Sequence, residues 1–324
     1  MKKLFKNAVS AVLGAIVLSV ALLGVGCFTV PEIEKEPSLE YKLIDNTHYE
    51  VTGIGTITET DVIIPETYNQ LPVKAIADSA FQSNANLTSV SVPKSVTALG
   101  KYAFNGCDKL TSVKLGASVK TIGESAFQGC ANLQSVVIPD SVTSIEGYAF
   151  AGCTKLESVT LGNSVKTIQT QAFASCISLK NIKIPDSVTS VGSLVFWGCT
   201  GLENVELGNS VKSIGESSFN GCTNLLSVTF GNAIKTIARC SFSGCENLTG
   251  LEIPVSVTFI GDSTFAGCTS LTTVIFKNTQ GWKATFPKTD NVQSLSSEDL
   301  TNYEKAALYL KSTDYYCLYG WSRA

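Results

Sequence analysis

Ala103-Phe104-Asn105-Gly106-Cys107-Asp108-Lys109-Leu110-Thr111-Ser112-Val113-Lys114-Leu115-Gly116-Ala117-Ser118-Val119-Lys120-Thr121-Ile122-Gly123-Glu124-Ser125 is one copy of a unit that the chain repeats nine times. Phe81, Phe104, Phe127, Phe150, Phe173, Phe196, Phe219, Phe242 and Phe265 stand 23 residues apart without a slip. The same step separates eight cysteines from Cys107 to Cys268, Cys240 standing outside the series, and nine leucines from Leu87 to Leu271. Registered copies of this kind are the signature of a stacked repeat, and they take precedence over any local secondary-structure reading.

One 23-residue unit is too small to bury its own apolar side chains. Stacking turns each repeated position into a column, so that successive coils supply one another's core. Within the unit, Leu110-x-x-Val113-x-Leu115 ends in the two-residue alternation of a short strand. Strands from successive coils would lie about 4.8 Å apart in one parallel sheet. Pro or Gly closes the strand at Pro93, Gly116, Pro139, Gly162, Pro185, Gly208, Gly231 and Pro254. Val119 and Ile122 turn the chain inward again on the opposite wall. The expected fold is a right-handed, β-rich leucine-rich-repeat solenoid with a parallel β-sheet and 23-residue coils over residues 80–276.

Both open ends of such a stack need covering, because a bare terminal strand templates aggregation. Residues 40–79 hold alternating apolar segments suited to a β-rich amino-terminal cap. Residues 277–324 form the carboxy-terminal cap. There, Ser296-Ser297-Glu298-Asp299 is a helix-start signal, and Leu300, Tyr303, Ala307, Leu308 and Leu310 follow at helical spacing. One amphipathic helix is expected near residues 298–311. Trp282, Tyr315, Tyr316, Tyr319 and Trp321 are expected to bury against the last coil, the alternative being a sugar or membrane platform.

The amino terminus reads as an export signal: Lys2, Lys3 and Lys6 precede an uncharged run from Ala8 to Gly26. Leu22-Leu23-Gly24-Val25-Gly26-Cys27 resembles the lipobox of bacterial lipoproteins, although Gly24 replaces the usual aliphatic residue. That resemblance implies cleavage before Cys27 and a diacylglycerol on its thiol, hence a membrane-anchored lipoprotein at the bacterial cell surface. An uncleaved transmembrane anchor and a plainly secreted chain are the alternatives. Residues 27–39, with Pro31 and Pro37, read as a tether.

The repeat itself, small-Phe-x-Gly-Cys-x-x-Leu-x-x-Val-x-Leu-Pro, resembles the BspA-like (Treponema pallidum type) leucine-rich repeats of bacterial surface proteins. Tyr49-Glu-Val-Thr-Gly-Ile-Gly-Thr56 and Leu71-Pro-Val-Lys-Ala-Ile76 are similar to that family's opening segment. Phe276-Lys-Asn-Thr-Gln-Gly-Trp282, Ala306-Ala-Leu-Tyr-Leu310 and Trp321 are similar to its ending. The resemblance implies adhesion to host proteins or to other cells.

Composition narrows the chemistry. The chain has 324 residues, 44% of them hydrophobic and 16% charged, with 11 cysteines and one histidine. Removing residues 1–26 takes away three lysines and no acid, leaving 21 basic and 27 acidic residues and a net charge of −6. An acidic chain is not a mainly electrostatic nucleic-acid binder. His48, the single histidine, has no second histidine and no nucleophile motif near it, and reads as a surface or cap residue. No acid–base pair, nucleophile set or cofactor motif can be assigned, so catalysis is not expected.

Eight cysteines form a column with no C-x-x-C pair, which argues against metal. Their Cβ vectors should run parallel in a registered stack, which is poor disulfide geometry. Asn84 takes the cysteine's place in the first copy. An amide can replace a buried thiol that bonds to backbone, but not half a disulfide. Cys240 and Cys317 are left over. Export invites their pairing, whereas the distance of Cys240 from the chain end opposes it.

Partner contacts are expected on the concave strand face, where two columns point outward. Ser89, Ser112, Ser135, Ser158, Asn181, Asn204, Ser227, Gly250 and Thr273 are small and nearly uniform. Ser91, Lys114, Val137, Thr160, Lys183, Glu206, Thr229, Glu252 and Ile275 vary in charge and size. Specificity can be written in the varied column, which could equally be drift on a solvated face. Trp197 occupies a position that is polar or small in every other copy, making it a second candidate contact or a residue packed on Leu194. Pro-Asp-Ser-Val-Thr at 139–143 and 185–189 alternates with Gly-x-Ser-Val-Lys at 116–120, 162–166 and 208–212, suggesting opposed rows of Asp and Lys. The expectation is a monomeric scaffold for an extracellular or host protein. Carbohydrate or cell-wall binding and a structural role in envelope assembly are the alternatives.

Overall fold

The computed structural model describes residues 38–285, 292–311 and 320–323. The repeats stack into a parallel β-solenoid with two backbone ladders rather than one. The wide ladder joins strands of three or four residues, from Ser89–Ser91, Ser112–Lys114 and Ser135–Val137 to Ser227–Thr229, each parallel to the next. The narrow ladder joins two-residue strands, from Ala98–Leu99 and Thr121–Ile122 to Phe259–Ile260. It forms where the inward turn at Val119 and Ile122 was expected. Pairing Thr121 and Ile122 with their equivalents satisfies backbone groups that the turn would otherwise leave open.

The region ahead of Phe81 already contributes a coil. Asp61–Ile63 pairs with Ser89–Ser91 in the wide ladder, and Ala75 and Ile76 pair with Ala98 and Leu99 in the narrow one. The solenoid therefore makes about ten turns, one more than the nine phenylalanines mark.

A third set of inter-coil bonds runs along the turns. Phe81 N–H donates to Ala103 O at 2.8 Å, Phe104 N–H to Ala126 O at 2.8 Å, and Phe127 N–H to Ala149 O at 2.7 Å. Each turn bends through two left-handed residues. One is the glycine before the cysteine, with φ between 68° and 75° from Gly106 to Gly267, replaced by Ser83 and Ser175 in two coils. The other is never glycine: Tyr102, Leu194 and Cys240 have φ of 57°, 58° and 53° there. No β-branched residue occupies this column, as the sterics of that region require.

The core is a set of continuous stacks. Neighbouring phenylalanine rings lie 5.0–5.6 Å apart with interplanar angles of 1–13°. Each of the eight column cysteines is free and buried. Each thiol donates to the carbonyl of the preceding coil's phenylalanine: Cys107 Sγ to Phe81 O at 3.0 Å, Cys153 Sγ to Phe127 O at 3.2 Å. The coil beneath Asn84 carries no phenylalanine, and Asn84 Oδ1 instead accepts from the N–H groups of Asn86 and Leu87, both at 2.9 Å. The column is packing and backbone satisfaction, as the asparagine substitution implied.

The wide ladder is uneven. Pairing is full from each proline coil to the glycine coil after it, such as Ser135–Val137 with Ser158–Thr160. From a glycine coil to the next proline coil it shrinks to Ser112 with Ser135, and to Ser158 with Asn181. Glycine permits the tight member of this alternation: a Cβ on Gly116 would lie 2.1 Å from Pro93 O, and one on Gly162 2.4 Å from Pro139 O. The ladder breaks between Ser227–Thr229 and Gly250–Ile253, and the latter pairs only onward with Thr273–Phe276. Ser141 and Ser187 donate to Val119 O and Val165 O of the coil below, whereas the hydroxyls of Ser95 and Ser256, at the same position in other coils, are buried without a partner.

Two short helices cover the last coil instead of one: α1 (Ser297–Thr301) and α2 (Tyr303–Lys311). Ser296 caps α1 by accepting from Asp299 N–H. Asn302 divides the helices, its backbone N–H ending α1 on Glu298 O and its Oδ1 accepting from Lys305 N–H to start α2. Lys311 Nζ donates to Leu271 O at 2.6 Å, tying α2 to the last repeat. Gly320–Arg323 closes the narrow ladder antiparallel to Phe259–Ile260 and to Trp282–Thr285. At the other end, Glu40–Ile44 and His48–Gly53 close it as an antiparallel pair. Trp282 and Trp321 are buried against Phe276, so neither offers a platform for a sugar or a membrane. Tyr315, Tyr316 and Tyr319 lie outside the described residues.

Candidate functional site

The outward columns stand where alternation placed them. In Asn181–Ile184 and Asn204–Leu207, Ile182, Ile184, Val205 and Leu207 point inward while Asn181, Lys183, Asn204 and Glu206 face solvent. Lys114, Val137, Thr160, Lys183, Glu206, Thr229 and Glu252 are exposed, and Ser91 and Ile275 at the two ends are half-buried. Val137, 65% exposed, is an apolar side chain held among polar neighbours.

The parallel register decides which side chains meet. Lys183 and Glu206 are directly paired, and their Nζ and Oε1 atoms are 2.6 Å apart. The hydrogen bond and charge of Glu206 hold the Lys183 ammonium above its usual pKa. In the uniform column, Ser227 Oγ donates to Asn204 Oδ1 at 2.7 Å and Asn204 Nδ2 to Asn181 Oδ1 at 2.8 Å. The chain of amides and hydroxyl spans three coils, and the ion pair runs beside it over two of them. Two shallow clefts of about 540 and 460 Å³ lie along them, the first lined by Ser158, Asn181, Lys183, Asn204, Glu206 and Thr229 among others. The arrangement offers amide, hydroxyl and charged groups in fixed positions, which is the chemistry of recognition. No group of three or more His, Cys, Asp or Glu fit to hold a metal occurs among the described residues.

A larger hollow of about 890 Å³ sits at the break in the ladder, lined by Phe230, Leu251, Val255 and Ile275 with Glu252 and Lys277 at its polar part. Glu252 and Lys277 pair at 3.0 Å. Ile275 and Glu252 were legible as members of the varied column, but Phe230 and Val255 were not. The available signal was Gly231 following Gly208, the one place where the alternation of proline and glycine coils fails.

Trp197 is 43% exposed and shares a separate 330 Å³ hollow with Tyr148, Gln128 and Gln171, floored by Ala151 and Ala174. It lies on the turns, apart from the residues that line the clefts of the strand face. Cys240 is half-buried, and that burial pushes its thiol pKa up, partly offset by Arg239. Its suggested partner Cys317 and the lipidation candidate Cys27 lie outside the described residues. His48 opens a strand of the amino-terminal cap, with its Nδ1 2.8 Å from Thr47 Oγ1.

The family model of the BspA type leucine-rich repeat region, in six copies, matches residues 74–203 and 189–312. The chain belongs to this family. Among solved structures, the BspA-type chain is similar to the T. pallidum leucine-rich repeat protein: 28% identity over 65% of this chain and 87% of that one, with a TM-score of 0.50. A leucine-rich cell surface protein from Faecalibacterium prausnitzii A2-165 is 26% identical over 74% of this chain and 87% of that one, with a TM-score of 0.42. A leucine-rich repeat protein from Bacteroides ovatus is 28% identical over the same shares, with a TM-score of 0.32. No curated protein matches the chain. This BspA-type protein is thus a leucine-rich-repeat scaffold, and its distinguishing chemistry lies in the exposed columns.

Proposed function

We propose that this chain is an exported lipoprotein, anchored through Cys27 at the bacterial cell surface, that adheres to a host or neighbouring-cell protein through the wide-ladder face. One observation carries the reading: a column of fixed spacing presents Lys114, Val137, Thr160, Lys183, Glu206 and Thr229 to solvent, with clefts running beside them. Rigid placement lowers the ordering cost of binding, so a face of this kind can be selective without a deep pocket. The chain acts as a monomer and needs no cofactor. Binding of purified extracellular-matrix proteins to the immobilised chain tests this. Val137→Asp combined with Lys183→Ala and Glu206→Ala should weaken binding at least tenfold, and unchanged binding would reject the face. Retention of Cys27→Ala in the membrane fraction would reject the lipid anchor.

The hollow between Tyr148 and Trp197 supports a second reading, carbohydrate or cell-wall binding, because two exposed aromatics flank a floor of small residues with Gln128 and Gln171 beside it. Glycan binding that is lost in Trp197→Ala and kept in the strand-face variant would favour it.

A further inference from the structure

Several charged columns of the solenoid neutralise themselves. Opposite signs fall on successive coils and pair, as in Lys101 with Glu124, Lys180 with Glu203, and Arg239 with Glu216 and Asp262. The column that borders the narrow ladder does not. It runs Lys74, Thr97, Lys120, Thr143, Lys166, Thr189, Lys212, Lys235, Thr258, and contains no acid. Backbone bonds confirm that these residues stack: Lys120 N–H donates to Thr97 O, Thr143 N–H to Lys120 O, Lys166 N–H to Thr143 O, and Lys212 N–H to Thr189 O. Lys74, Lys120, Lys166, Lys212 and Lys235 are all exposed, and none pairs with an acid among the described residues.

The acids expected to oppose this row are spent elsewhere. Asp140 Oδ1 accepts from Asn163 N–H at 2.7 Å, and Asp186 Oδ1 from Asn209 N–H at 2.6 Å. Glu146, three residues from Thr143, is held by Ser144 and Gln169. The opposed rows of Asp and Lys exist in sequence but do not pair in space. What remains is a row of ammonium groups on every second coil from Lys74 to Lys212, about 10 Å apart at the spacing of parallel strands, with Lys235 following one coil after Lys212. Beside it runs a hydroxyl column of Thr121, Ser144, Thr167, Ser190, Ser213 and Thr236 on the narrow ladder itself.

We propose that this row binds a linear anionic polysaccharide whose acidic groups recur at the two-coil interval, lying along the solenoid axis with its sugar hydroxyls on the Ser/Thr column. The spacing argues against a nucleic acid, whose phosphates recur about every 3.4 Å along each strand and would outnumber the lysines threefold. A carboxylate or sulfate once per two sugar rings meets one lysine at a time. The surface is distinct from the wide-ladder face, and either can fail without the other.

Titration of the full chain with hyaluronan oligosaccharides, heparin oligosaccharides and inorganic polyphosphate tests the proposal. Replacing Lys120, Lys166, Lys212 and Lys235 together by Gln should lower hyaluronan or heparin affinity more than tenfold, and the matching Lys→Arg variant should keep it. The wild-type affinity should fall with salt through screening of the lysines, and the salt dependence should weaken when the lysines are removed. Lys183→Gln with Glu206→Gln on the other face should leave it unchanged. Failure of both polysaccharides to bind, binding indifferent to the four lysines, or polyphosphate binding as tightly per charge would each overturn the proposal.

Discussion

The turn column and the strand face are built by the same 23-residue step, yet one hardly varies and the other changes at almost every coil. Phe, Gly and Cys recur because each touches its own copies above and below: ring on ring at 5.0–5.6 Å, thiol on the preceding carbonyl. A change there is felt by two neighbours. Lys114, Val137 and Thr160 point to solvent, and the ladder beneath them is indifferent to what they are. Stability and the proposed recognition are thereby separated onto different walls of one coil, which gives the contrast that mutation and pH can probe.

Alkali should expose it most. Burial pushes the Cys153 and Cys199 thiols up to about 12 and Cys107 to about 11, from an ordinary value near 9.0. Above pH 9 the unfolded chain loses these protons and the folded chain keeps them. The stability they contribute is therefore complete below pH 9 and is lost as pH rises toward 12, on the order of 4 kcal/mol for a fully buried thiol. Circular dichroism against pH should show an alkaline transition that moves upward when Cys153 and Cys199 are replaced by Ala. A transition that ignores the replacement would remove the thiols from the account.

Phe173→Ala opens the middle of the ring stack and should cost about 3–5 kcal/mol in denaturant titration. Gly162→Ala drives a Cβ into Pro139 O and should cost about 1–3 kcal/mol. Gly147→Ala, where the nearest atom is Thr170 O at 3.3 Å, should cost less, and equal costs would refute the role given to close coil approach. Lys183→Ala with Glu206→Ala should leave the melting temperature essentially unmoved, because both groups are well exposed. On the proposed reading its effect falls on partner affinity alone, and a large loss of stability would show that the two walls are not separate.

The repeat, its strands and the buried thiols were legible in the sequence because identity at a fixed step needs no chemistry to be seen. Asn84 in a cysteine's place even announced the backbone bonding. The narrow ladder was not legible: two residues such as Thr121 and Ile122 carry no alternation. The division of the terminal helix rests on Asn302, whose amide and backbone compete with an otherwise continuous helical pattern. On the candidate site, the varied column could be placed residue by residue, but which charges pair could not. Lys183 meets Glu206 because register brings them together, while Asp140 prefers a backbone N–H one coil away.

The close fit of each glycine coil on the proline coil before it makes length a quantised variable for this chain. Adding or deleting 46 residues would transfer the terminal cap to an equivalent seat and keep the lysines in phase. A single 23-residue change would reverse the phase, as at Gly208 and Gly231, where Lys212 and Lys235 fall on neighbouring coils and the ladder opens one step later. That opening is then a dislocation in an otherwise two-coil lattice, and the hollow over Phe230 is the void a dislocation leaves.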